Sequence, residues 1–256
     1  PPGPRRLGFD DFWAVRNCGH DYFDAPFHRD TPEVLRLPGY EPEAQTDLAM
    51  EFIAESVERR KPFCLALSWG PPHNPYEQGP DEYRRRYDEN ALTLRPNCRP
   101  IPREVLDPAW SHRPTTRDYY AQISSLDDQL GRLLDRLDAP GIADDTVVVF
   151  TSDHGDMMWS QGLLYKCVPF EESVQAPLIV RYPRGLPAGR PCDALISSAD
   201  LVPTLGGLAG WDCGSGMEGV DCSAVLRGDP GAPRQESLLL TFYHRYVFRP
   251  DFPVPE

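Results

Sequence analysis

The chain has 256 residues, 39 acidic against 26 basic, with a formal net charge of -13 and 29 prolines. That length can bury a substantial core in one large or two small domains, while the excess negative charge argues against nucleic acid as a partner, since phosphates would be repelled. No apolar run is long enough to cross a membrane and no signal peptide is visible; because the chain opens on Pro1 rather than Met, an upstream segment is expected to precede it.

Residues 1 to 42 are rich in Pro, Gly and aromatics with little periodicity, which predicts an irregular, surface-wrapping segment. Asp10 and Asp11 are read within it as turn or surface residues. Ala44, Leu48, Phe52, Ile53 and Val57 keep helical spacing from Glu43 to Arg60, and Pro62 forbids continuation. This crossover helix feeds a predicted strand, Phe63 to Trp69, with Cys64 as a small core residue. The strand delivers Gly70-Pro71-Pro72-His73-Asn74-Pro75, where three prolines stiffen the backbone around His73. Arg84 to Arg86 fall in a helix starting near Asp81 and form a solvated face with neighbouring acids.

Residues 88 to 113 read as a long irregular connection of the kind that borders an active site. A helix over 115 to 138 carries one apolar stripe, Tyr120, Ile123, Leu126, Leu130, Leu133, Leu134 and Leu137, with Asp127 and Asp128 on its polar side. Gly141 and Asp144-Asp145 return the chain to a run of β-branched and aromatic residues, Thr146 to Phe150. That run ends in Thr151-Ser152-Asp153-His154-Gly155, and a second apolar run covers Pro177 to Tyr182. Two buried strands therefore bracket a polar loop. In an open α/β sheet ligands bind beyond the carboxyl ends of the strands, so Asp153 and His154 stand where a ligand would be held, and Gly155 lets the chain turn sharply away. Lys166 lies in the same loop. The chain has only two lysines, Lys61 and Lys166, and uses Arg everywhere else, so a lysine at this point suits a need for a compact point charge.

Beyond Pro183 we expect a short strand at Ala194 to Ser197, a helix entered at Asp200, glycine-rich turns at Gly214, Gly216 and Gly219, and a last strand over Ser237 to Tyr243 before a tail. Seven cysteines, at 18, 64, 98, 167, 192, 213 and 222, show no zinc-ligand spacing. The odd, scattered set reads as mostly reduced thiols and slightly favours the cytoplasm, with Cys213 and Cys222 as a pair that could bridge.

The string SDHGDMMWSQGLLYKCVPFEES, followed by PLIVRYP, resembles the metal and sulfate-binding segment of the sulfatase family, in the alkaline phosphatase superfamily. Two more segments agree in order: FCLALSWGPPHNPYE at Phe63 to Glu77 and YYAQISSLDDQLGRLLDRL at Tyr119 to Leu137. Weaker matches at His20 to Asp30, Gly39 to Ile53 and Ala199 to Gly210 extend the similarity over most of the chain. The resemblance implies an α/β fold, a mixed β-sheet flanked by helices as in alkaline phosphatase, with its N-terminal part missing here. Residues 1–235 would be an incomplete catalytic domain and 236–256 the start of a C-terminal segment.

The same resemblance implies a sulfuric ester hydrolase acting on a sulfated small molecule or glycan. Asp153 and His154 would help hold a divalent cation, generally calcium in this family, and Lys166 and His73 would contact the sulfate. The family's nucleophile is a formylglycine made from Cys or Ser in Cys/Ser-x-Pro/Ala-x-Arg. Cys98-Arg99-Pro100-Ile101-Pro102-Arg103 has its Arg one place late, and Cys167-Val168-Pro169-Phe170-Glu171 has Glu where Arg belongs, so no nucleophile is assigned. The adjacent Asp pair that serves the family as metal ligands follows an apolar strand, which Asp10-Asp11 does not. With Asp153 and His154 alone, the chain is expected to bind metal weakly and to be inactive by itself. The alternatives are a phosphoester or phosphonate hydrolase of the same superfamily and a non-catalytic remnant.

Overall fold

The computed structural model describes residues 6, 8–16, 19–99 and 116–241. The chain divides into two compact units, Pro1–Leu94 with Pro102–Gly141, and Arg95–Ile101 with Ile142–Glu256.

The first unit begins with a three-stranded antiparallel sheet, β1 (Ala14–Val15), β2 (Pro26–Arg29) and β3 (Leu35–Arg36), in the order β1-β2-β3. Here the expectation of an irregular segment is corrected. Strands of two to four residues are too short to show the alternation that reveals a strand in sequence; pairing of Phe27 with Leu35 and of Val15 with His28 makes them. Asp10 and Asp11 are exposed, as expected. Helix α1 (Glu41–Glu58) follows, with Pro42 in its first turn and Glu41 and Glu43 at its positive end. Its N-cap, Tyr40, offers no side-chain cap; instead the amide of Glu41 donates to the carbonyl of Tyr22 at 2.7 Å. Phe27, Leu37 and Ala44, backed by Leu35 and Leu48, form the core between sheet and helix.

Residues 62 to 70 alternate between half-buried and exposed, yet they join no ladder among the described residues. The strand predicted at 63–69 is therefore not formed among the described residues, although its alternation is present, and Cys64 is exposed rather than a core residue. Helix α2 (Asp81–Arg84) starts where expected but ends at Arg84, leaving Arg85 and Arg86 beyond it; Arg84 Nε lies 3.0 Å from Asp118, and Arg86 lies 3.1 Å from Asp128. Helix α3 (Thr116–Asp138) covers the predicted helix apart from residue 115, which lies outside the described residues, and most of its stripe turns inward, with Leu130, Leu133 and Leu134 half-buried. Tyr120 and Ile123 are exposed, while Asp118, Ala121, Gln122, Ser125 and Gln129 are buried with Leu126 and Leu137. Small and amide side chains let α3 approach the loops it braces, and Gln122 Nε2 donates to the carbonyls of both Pro75 and Tyr76 at 2.9 Å.

The second unit holds a two-stranded antiparallel sheet of β4 (Val148–Thr151) and β5 (Leu178–Arg181), paired Val148 to Arg181 through Thr151 to Leu178. β5 falls inside its predicted run, and β4 begins inside the run Thr146 to Phe150 and extends one residue past it. They are half-buried rather than buried, Ile179 being 60% exposed. A one-turn helix α4 (Glu171–Val174) precedes β5, and α5 (Leu201–Ala209) and α6 (Ser223–Arg227) follow it. The helix predicted from Asp200 is α5. Asp200 ends the 3-10 turn before it and accepts from the amides of Ser197 at 2.7 Å and Val220 at 2.8 Å, fastening the turn-rich segment around Gly219. No strand forms at 194–197, and residues 237–241 are not a strand either; Phe242 and Tyr243 of that prediction lie outside the described residues. Cys213 and Cys222 are both free thiols, as are the other described cysteines.

One buried ion pair anchors the start of the first unit. Arg16 Nη1 lies 2.9 Å from Glu41 Oε2, with side chains only 11% and 4% exposed, and the same nitrogen donates to the Asp21 carbonyl at 2.6 Å. Burial pushes the Glu41 carboxyl above its ordinary range, and Arg16 pulls it partly back. Arg16→Met is expected to cost roughly 3–5 kcal/mol in a urea melt at neutral pH, because a buried carboxylate loses its partner. A raised folded-state carboxyl favours the protonated form, so the loss should shrink as pH falls through the carboxylate range and grow as pH rises. An equal loss at pH 4 and pH 7 would contradict this account.

Candidate functional site

Strand β4 ends at Thr151, and the chain leaves it through Ser152, Asp153 and His154. The Ser152 hydroxyl donates to the His154 carbonyl at 2.7 Å, and the His154 amide donates to Asp153 Oδ1 at 2.9 Å, so the turn is held by its own side chains. His154 Nδ1 lies 2.8 Å from the Gly155 carbonyl, which only accepts; Nδ1 therefore carries the hydrogen. In the neutral ring Nε2 is then the lone-pair nitrogen, and it stands 3.5 Å from Asp153 Oδ2. The Asp153 side chain is 83% exposed. Two ligands about 2.4 Å from one cation at a right angle would lie about 3.4 Å apart, so this oxygen and nitrogen suit a shared ion. They are two donors of the six to eight that calcium takes, and no group of three or more His, Cys, Asp or Glu forms a metal cluster among the described residues.

Gly155 is needed for a reason other than the one expected. Its φ is not in the left-handed region; a Cβ there would stand 2.1 Å from the Glu172 carbonyl oxygen. The Gly155 amide also donates to the Ser173 carbonyl at 2.9 Å. The tip of β4 thus lies directly on α4, a contact that admits no side chain.

From Asp156 to Cys167 the chain forms a compact knot. Asp156 Oδ1 accepts from the amides of Met158 at 2.9 Å and Tyr165 at 3.1 Å, closing a nine-residue span. Met157, Trp159 and Ser160 are buried. Met158, Trp159, Gln161, Tyr165 and Cys167 all adopt positive φ, a concentration of unfavourable backbone that persists only where surrounding contacts over-determine it. Lys166, half-buried, sits between two of these residues. The strand that leaves the second unit's sheet and the loop that returns to it therefore carry Asp153, His154 and Lys166 in one body.

Part of the expected irregular connection supports this knot. The Arg99 amide donates to the Trp159 carbonyl at 2.8 Å, the Gln161 amide to the Asn97 carbonyl at 3.0 Å, and Cys98 bridges Ser160. Glu172 fastens the same piece: its Oε1 accepts from Asn97 Nδ2 at 2.8 Å and pairs with Arg95 at 3.2 Å. The hydrogen bond from Asn97 leads the contacts that hold the Glu172 carboxyl below its ordinary range. Neither Asp156 nor Glu172 was singled out in the sequence. Asp two residues before an amide it accepts from is a turn signature that was available at Asp156; nothing local marks Glu172, whose partner Asn97 lies 75 residues away.

His73 belongs to the first unit. Its Nδ1 lies 2.8 Å from the Asn74 carbonyl and so carries a hydrogen, and its own carbonyl accepts from the Tyr22 hydroxyl at 2.7 Å. Tyr22 is fully buried, and the His20 ring stacks on His73 with centroids 4.2 Å apart. Residues 100–103 of the near-motif that begins at Cys98 lie outside the described residues.

The sulfatase family matches residues 2–211. The chain belongs to the sulfatase family. It is 33% identical over 240 residues to an ulvan-active sulfatase of Formosa agariphila, covering 91% of this chain and 45% of that relative. A solved sulfatase structure from Bacteroides fragilis superposes with a TM-score of 0.77 at 31% identity, over 89% of this chain and 50% of the other. A phosphonate monoester hydrolase of Agrobacterium radiobacter superposes less closely, with a TM-score of 0.61 at 28% identity over 77% of this chain and 45% of its own. The chain thus spans about half the length of the relatives it matches. Its fold is the alkaline phosphatase-like α/β fold of the sulfatases, as the resemblance implied.

Two predictions test the geometry of the loop. Gly155→Ala forces a Cβ against a backbone oxygen, so a loss of about 1–3 kcal/mol or more is expected in thermal or urea melts; a neutral substitution would mean the β4 tip does not rest on α4. A Glu172 carboxyl depressed in the folded state contributes stability above the ordinary carboxylate range and loses it as pH falls through its lower, folded value. Stability measured from pH 7 to pH 3 should therefore fall less steeply in Glu172→Gln than in wild type.

Proposed function

We propose that this chain forms part of a sulfuric ester hydrolase acting on a sulfate monoester, with a sulfated glycan or small molecule as substrate. The observation that carries the reading is the acid and imidazole at the tip of β4, 3.5 Å apart, in a chain of the sulfatase family. A sulfate monoester loses an alkoxide or phenoxide while negative charge spreads over the sulfuryl oxygens, so the reaction needs fixed positive groups and a donor to the leaving oxygen. Lys166 is proposed for the first role. His73, whose Nδ1 is occupied by the Asn74 carbonyl, is proposed to meet the leaving group through Nε2.

Asp153 and His154 are proposed to supply two ligands to a divalent cation, calcium by family. Such an ion would orient one sulfate oxygen and neutralise part of its charge. Two donors make binding by this chain alone weak. The 256 residues contain no Cys/Ser-x-Pro/Ala-x-Arg motif, so the formylglycine nucleophile would have to come from outside them, and the chain by itself is proposed to be inactive. The superposable phosphonate monoester hydrolase supports a second reading, a phosphorus ester hydrolase; the higher TM-score and identity of the sulfatase structure favour sulfate.

The chain alone should not turn over an aryl sulfate, whereas a version extended upstream through a Cys-x-Pro-x-Arg motif should. Equal rates from both would refute the half-site reading. In the active version, faster hydrolysis of phosphonate or phosphate monoesters than of the matching sulfates would transfer the assignment to the second reading. Calorimetric titration with calcium is expected to give a weak isotherm that Asp153→Ala abolishes; an undiminished isotherm would place the ion elsewhere.

A further inference from the structure

His73 is held by more than its own loop. Its ring lies nearly parallel to that of His20, 11° between planes and 4.2 Å between centroids, and the two residues that follow His20 are both tied down. Directly after His20, the Asp21 carbonyl accepts from Arg16 at 2.6 Å, and Arg16 is itself paired with buried Glu41. Downstream, Tyr22 is completely buried, its amide donates to Gln78 Oε1 at 2.7 Å, and its hydroxyl donates to the His73 carbonyl at 2.7 Å. The ring of Tyr22 also packs so closely on Gly70 that a Cβ there would stand 2.9 Å from it. Residues 21–22 are therefore bonded to residues 16, 73 and 78 and packed on Gly70, so the stack adjoins a braced stretch of chain. Its energetic logic is simple. The Nδ1 hydrogen bond to Asn74 anchors one edge of His73, and a flat ring against its face opposes rotation about that edge.

We propose that His20 is a positioning residue for His73: its ring, stacked face to face, fixes the plane in which the His73 Nε2 edge meets the sulfate. This deepens the functional reading above and rests on it. Preorganisation of this kind acts by reducing what must be ordered when the anion arrives. His20 itself is exposed, so replacing it spares the core. In the sequence His20 stands only at the head of a weak family match, because stacking on a residue 53 positions away leaves no local pattern.

The test uses the 256-residue chain, inorganic sulfate as the probe and histidine ring-proton NMR as the readout, in wild type, His20→Ala, His20→Phe and His73→Ala. Face-to-face stacking shields the His73 ring protons, so His20→Ala is expected to move them downfield and His20→Phe to leave them nearly in place. Unchanged shifts in His20→Ala would mean that the rings do not stack in solution and would overturn the proposal. Sulfate is expected to bind His20→Ala roughly two- to tenfold more weakly than wild type, the range that one stacked pair represents, and to bind His20→Phe with wild-type affinity. Equal affinities for wild type and His20→Ala, or a His20→Phe variant as weak as His20→Ala, overturn the positioning role and leave the assignment of His73 standing. If His73→Ala binds sulfate as wild type does, or wild type shows no saturable response, the assignment of His73 fails first and the role of His20 with it.

Discussion

The contact on which the second unit depends is the seating of Gly155 on the Glu172 carbonyl. A strand that ends in polar residues has to discharge its chain somewhere, and here it runs flush against a one-turn helix with no room for a Cβ. The helix is held in turn by Glu172, which reaches through Asn97 and Arg95 to a segment distant in sequence. Everything between Asp153 and Lys166 is hung from that junction. The acid and the imidazole are presented outward because the residue after them is drawn inward.

Between that junction and β5 the backbone is forced through five non-glycine residues in the left-handed region. Such a chain does not hold itself. Asp156 closes it from within by taking two amides, and Met157, Trp159 and Ser160 fill the space beneath it. Strain of this density gathers where a side chain must be aimed more tightly than an ordinary loop allows. Lys166 lies between two strained neighbours, which is consistent with its proposed task of meeting charge that develops on an oxyanion.

The first unit reaches a similar end by other means. Its loop around His73 has little strained backbone to brace and instead borrows rigidity from packing: prolines on both sides of His73, Gln122 of α3 holding the carbonyls of Pro75 and Tyr76, and Tyr22 tied to the His73 carbonyl. That demand explains the unusual buried face of α3. Amide and hydroxyl side chains occupy positions where Tyr120 and Ile123 would have made a conventional apolar stripe, because loop carbonyls facing the helix need donors and a close approach.

Long, periodic or proline-bounded elements were legible in the sequence because their signals are local. The spacing of Ala44 to Val57 marked α1, the run from Thr146 to Phe150 marked β4, and Asp200 marked the entry to α5. Asp153, His154, Lys166 and His73 were legible as candidates from their places after strands and in a shared loop, and three ordered resemblances made the family recognisable. What the tertiary structure decided was everything that depends on residues far apart in the chain: the short antiparallel sheet of residues 14–36, the exposure of Cys64, the steric rather than conformational need for Gly155, and the partners of Glu172, Asp156 and His73. A sequence displays the preferences of each residue for its neighbours along the chain. Which carbonyl will lie within reach of a missing side chain, or which ring will cover another, is fixed only when distant segments pack.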